Sequence, residues 1–95
     1  MVKETSFKIF LSNGITLTVK DNEKIIINGV GGNTFKDLYE LIGKTISDKK
    51  NVEFEVEIDH EYKSEDKTPK TLHQNIRHKY FIPSEKITWF MIEEV

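Results

Sequence analysis

NVEFEVEIDHE, residues 51–61, alternates apolar and acidic side chains almost without a slip. Val52, Phe54, Val56 and Ile58 take one parity; Glu53, Glu55, Glu57, Asp59 and Glu61 take the other. A period of two is the side-chain period of a β-strand, so the stretch reads as a strand with one buried face and one row of carboxylates. Such a strand needs neighbours in a sheet and something to cover its apolar side.

The neighbours lie on both sides in sequence. FKIFLSNGITLTVK, residues 7–20, reads as a β-hairpin: Phe7, Ile9 and Leu11 alternate before Asn13-Gly14, and Ile15, Leu17 and Val19 alternate after it. Asn-Gly supplies the positive φ angles that a tight hairpin turn requires. Residues 21–23 make a turn and KIIING, residues 24–29, a short third strand. The cover follows. Phe35, Leu38, Tyr39, Leu41, Ile42 and Ile46 recur at helical spacing, and Thr34 with Asp37 forms a capping box at the start. Beyond the acidic strand, residues 61–72 are polar, contain Pro69 and read as a mobile loop. Residues 78–82 form a strand, 83–85 a tight connection and 86–93 the last strand. A short helix carrying Leu72, Ile76 and Tyr80, four apart, is the competing reading there; Tyr80-Phe81-Ile82 favours the strand.

The expected fold is a single α+β domain, residues 1–95, with a mainly antiparallel sheet in the order β-β-β-α-β-β-β. One helix packs on the sheet, because neither element buries its apolar side alone. The ending YFIPSEKITWFMIEE resembles the strand–short turn–strand ending of small SH3-like or Sm-like barrels, which leaves a barrel and an open sheet both open.

At 95 residues there is material for one modest core. The apolar share of 37% and charged share of 32% fit a compact domain with a well-solvated surface. There is no cysteine, which excludes disulfides and thiolate zinc sites. No apolar run approaches the roughly 20 residues of a membrane span, and the N-terminus lacks the features of a signal peptide. A cytoplasmic location is expected. Nearly all positive charge is lysine, with Arg77 the sole arginine, and Ile, Asn and Lys are abundant. In that style the chain resembles the short accessory proteins of phages and prophages of low-GC Gram-positive bacteria. The resemblance covers the whole chain and carries no functional residue with it.

Chemical motifs are scarce. Gly29-Val30-Gly31-Gly32 between a strand and a helix suggests a phosphate cradle, and Gly43-Lys44-Thr45 matches the end of a Walker A motif. Position 38 is Leu where the first Walker glycine belongs, and no G-x-G-x-x-G is present, so a flexible connection is the simpler reading. His60, His73 and His78 form no i, i+4 pair that would suit a helical zinc site. His60 shares the parity of the apolar residues and is expected to be partly buried. With no nucleophile motif and no H-E-x-x-H, no catalytic residue, metal or cofactor is assigned.

Charge is distributed more pointedly. Residues 51–66 hold seven acids and one lysine, and residues 67–80 hold Lys67, Lys70, Arg77 and Lys79 with no acid. Arg77 and Lys79 are placed to pair with part of the acidic row if the strands on either side of the loop are neighbours. The last strand is apolar on both faces, with Ile87, Trp89 and Met91 on one and Phe90 and Ile92 on the other. A strand of that kind must be covered twice. Trp89, Phe90 and Ile92 are therefore candidate interface residues, and a homodimer is one way to cover them.

The leading expectation is a small non-enzymatic protein-binding module, of the kind a phage uses to inhibit a host enzyme. Its acidic strand (Glu53, Glu55, Glu57, Asp59) would occupy a basic, nucleic-acid-binding surface on the partner. The alternatives are nucleic-acid binding through Lys67, Lys70, Arg77 and Lys79, and small-ligand binding at the glycine-rich loop.

Overall fold

The computed structural model describes residues 4–95. Its elements run β1 (Thr5–Leu11), β2 (Thr16–Lys20), β3 (Lys24–Ile27), β4 (Val30–Asn33), α1 (Phe35–Ser47), β5 (Asn51–Lys63), β6 (Thr71–Pro83) and β7 (Ile87–Glu94), with a 3-10 turn at Ser84–Lys86. This is the expected α+β architecture with one strand more before the helix. The strands form two antiparallel sheets, ordered β2-β1-β7 and β4-β3-β5-β6. They remain separate sheets and do not close into an SH3-like barrel.

The fourth strand corrects the glycine-rich connection. Asn28 and Gly29 both take positive φ (53° and 79°), and Ile27 pairs with Val30 across them. That is the two-residue turn Asn-Gly favours, so the chain folds back and uses residues 30–33 as an edge strand. At the other Asn-Gly the geometry differs from the tight turn expected. Only Gly14 has positive φ (87°), and the Leu11 N–H donates to Ile15 O at 2.9 Å while Gly14 N–H donates to Leu11 O at 3.0 Å. The loop is three residues long, with glycine at its left-handed position.

Helix α1 starts as its capping box requires: Asp37 N–H donates to Thr34 Oγ1 at 3.2 Å and Thr34 N–H donates to Asp37 Oδ2 at 2.9 Å. Leu38 and Ile42 on its apolar stripe are fully buried. They meet Phe7 and Ile9 of β1, Val19 of β2, Ile25 of β3, and Val52, Phe54 and Val56 of β5, in one continuous cluster. The buried parity of β5 is thus the apolar one. Truncating Leu38 or Ile42 to alanine would cost about 2–5 kcal/mol, the usual penalty for a large buried aliphatic side chain.

One of the two faces of β7 is covered inside the chain. Phe90 and Ile92 pack on the core, and the Tyr39 ring meets Phe90 edge-on with centroids 4.8 Å apart. Trp89 lies on the opposite face, stacked nearly parallel on Phe10 at 4.0 Å and still 51% exposed. The candidate interface trio is therefore split between two faces. Ile87 does not share a face with Trp89 as its parity implied: the register slips by one residue opposite Phe10 and Leu11, which turns Ile87 onto the core.

Candidate functional site: the outer face of the β5–β6 ribbon

β5 and β6 pair along their whole lengths, from Asn51 opposite Pro83 to Lys63 opposite Thr71. Thirteen residues at about 3.3 Å each make a ribbon roughly 40 Å long. The molecule measures 55 × 32 × 28 Å, and its core stops short of the ribbon's far half. The segment read as a mobile loop, residues 61–72, is strand at both ends, over 61–63 and 71–72. Tyr62 opposes Leu72, Lys63 Nζ donates to Thr71 Oγ1 at 2.8 Å, and Ser64 N–H donates to Lys70 O at 3.0 Å. Only residues 64–70 form the turn. His60, expected to be partly buried, is exposed beside Tyr62 because the ribbon has outrun its cover. Leu72, Ile76 and Tyr80 form no helix; residues four apart share a strand face as well.

Register decides who meets whom on the outer face. Glu53 lies opposite Phe81, Glu55 opposite Lys79, Glu57 opposite Arg77, Asp59 opposite Asn75 and Glu61 opposite His73. In the middle of the row the charges are paired. Lys79 Nζ lies 3.4 Å from Glu55, and Arg77 lies 3.9 Å from Glu55 and 3.5 Å from Glu57. Asn75 Nδ2 donates to Glu57 Oε1 at 2.6 Å. That amide, with the positive charges of Arg77 and Lys24, holds the Glu57 carboxyl below the usual glutamate range against the opposing effect of burial. The side chains of Glu55 and Glu57 are only 24% and 20% exposed.

The ends of the row differ. Glu53 is exposed and makes no ion pair among the described residues. Asp59 and Glu61 keep 68% and 69% of their side chains exposed and share only His73, whose Nδ1 is 3.3 Å from Asp59 and 4.0 Å from Glu61. Both border a surface recess of about 560 Å³ that also takes in Lys20 at the end of β2 and Glu23 from the β2–β3 turn. Glu23 had no role in the sequence reading; only the fold brings that turn beside the ribbon.

The basic residues are not assembled into one site. Lys67 and Lys70 sit in the turn at the ribbon's tip, whereas Arg77 and Lys79 lie midway and face carboxylates. Lys70 and Arg77 are seven positions apart, about 23 Å along an extended strand. Gly43, Lys44 and Thr45 lie within α1, where the Thr45 hydroxyl donates to Leu41 O at 2.7 Å. Among the described residues no three His, Asp or Glu side chains are arranged to hold a metal ion, and no helix is long and apolar enough to cross a membrane. Comparison with known proteins finds no matching family, no matching curated protein and no matching solved structure.

Proposed function

We propose that this chain is a non-enzymatic protein-binding module, working in the cytoplasm, whose outer ribbon face engages a basic surface of another macromolecule. An inhibitor of a host enzyme's nucleic-acid-binding surface, in the style of phage accessory proteins, is the form of partner this chemistry suits. The observation that carries the reading is the pair Asp59 and Glu61. Both project from a ribbon that has left the core behind and border a recess shared with Glu23. A two-stranded ribbon is marginal by itself in water, so its length is a structural cost that a contact surface would explain. Exposed rim carboxylates speed encounter with a cationic partner and set the salt dependence of the complex.

Glu55 and Glu57 then have a different task from Glu53, Asp59 and Glu61. They clamp β6 to β5 through Lys79, Arg77 and Asn75, and the outer three make contact.

The test is affinity capture from the source cell's extract, repeated with a Glu53→Gln/Asp59→Asn/Glu61→Gln variant of unchanged thermal stability. A protein held by the wild type and lost by the variant is the expected result. Equal capture by both would refute the mechanism. A low-salt mobility shift with DNA or RNA that persisted in this variant and vanished with Lys67→Glu/Lys70→Glu would replace it with direct nucleic-acid binding.

A further inference from the structure

β6 is the terminal strand of its sheet, and among the described residues it makes no backbone hydrogen bond from residue 79 to residue 83 to any element but β5. A groove of about 490 Å³ runs along this stretch and is lined by all five residues in succession, Lys79 through Pro83. Successive strand side chains point to opposite faces, so five in a row can line one groove only along the strand's edge. The facing wall is the β1–β2 hairpin end, where Leu11 and Leu17 are apolar and pack against the core. The edge measures about 13 Å at a rise of 3.3 Å per residue, room for a short extended peptide.

The groove's chemistry specifies the occupant. Tyr80 and Ile82 look toward the core side, with Leu11 and Leu17 across from them. Lys79 and Lys86 stand at the rim, and no carboxylate lines the groove. β6 already shows which kind of strand it accepts. On its other edge it pairs with β5, whose apolar residues face the core and whose glutamates face Lys79 and Arg77. A strand added at the free edge meets the same two faces of β6. A second copy of β6 offers no charge partner: self-pairing centred on His78 would set Arg77 against Lys79, and centred on Phe81 it would leave Lys79 facing Pro83.

We infer that the free edge of β6 at residues 79–83 binds an extended segment of a partner protein in which acidic and apolar residues alternate, adding it as a further strand. Backbone hydrogen bonds supply the affinity and the two faces the selectivity, as in other strand-addition complexes. This contact lies on the edge of β6, away from Asp59 and Glu61, so it stands or falls separately from the acidic-face reading.

The test is a 15N NMR and fluorescence-anisotropy titration of the full chain with a short end-capped synthetic peptide of alternating glutamate and valine. The peptide is expected to shift the amides of residues 79–82 and slow their hydrogen exchange. Lys86→Glu should weaken it by about threefold to fivefold, the scale of one cross-strand charge pair. N-methylating alternate peptide residues should abolish binding in one phase and spare it in the other. The Asp59→Asn/Glu61→Gln variant should bind the peptide like the wild type. No binding at millimolar peptide, equal binding of a lysine–valine peptide, or shifts confined to another face would overturn the inference.

Discussion

Lys49 holds a left-handed backbone (φ 56°) immediately beyond α1, where glycine is the usual residue. The helix ends there in paired bonds: Lys49 N–H donates to Ile46 O at 3.0 Å and Lys50 N–H to Thr45 O at 2.9 Å. The lysine carries a steric cost that glycine would remove, partly offset by glycine's greater freedom when unfolded. Lys49→Gly is predicted to stabilise the fold by about 0.5–1 kcal/mol, read from the urea midpoint; a lower midpoint would contradict this account of the turn. Glu57 gives the pH counterpart. Its carboxyl is lowered first by the Asn75 amide, so its stabilising contribution is complete above the ordinary glutamate range and lost as pH falls through the lowered pKa. Asn75→Ala should raise the Glu57 titration midpoint toward the ordinary value in a 13C carboxyl NMR titration. An unmoved midpoint would show that Asn75 is not the main cause.

At the scale of elements, legibility followed burial. β5 was readable because Val52, Phe54 and Val56 are buried while the residues between them are not. The Thr34–Asp37 capping box likewise marked the start of α1 correctly. The first half of β6, residues 71–77, was not readable, since neither of its faces is buried and its polar sequence resembles loop. β4 was missed although Asn28-Gly29 carried the signal, because the glycines beyond it offered no alternation to follow. The ribbon's independence from the core makes a prediction. Replacing residues 61–73 by Asn-Gly, which joins His60 to its register partner Gln74, should move Tm by less than about 5 °C. The shortened chain should also lose affinity for a captured partner. A large fall in Tm would mean the tip supports the fold in a way its exposure does not suggest.

For the whole molecule, two sheets and a helix share one apolar cluster, and what extends beyond it is charged ribbon. The acidic row was visible in the sequence as a line of five, and its partial neutralisation by Arg77 and Lys79 was foreseeable on the condition, met here, that the strands flanking the loop are neighbours. The division of labour within the row was not. It depends on a register that places Asn75 against Glu57 and on a turn that delivers Glu23 beside Asp59 and Glu61. The central claim is that the row's outer members are a contact surface for a cationic partner. Its most direct test is calorimetric: the Kd of the captured protein measured across a series of salt concentrations, for the wild type and for Glu53→Gln/Asp59→Asn/Glu61→Gln. The account predicts wild-type affinity that falls steeply with salt, and a variant about tenfold weaker or more with a flattened salt dependence. Equal affinities with the same salt slope would contradict it.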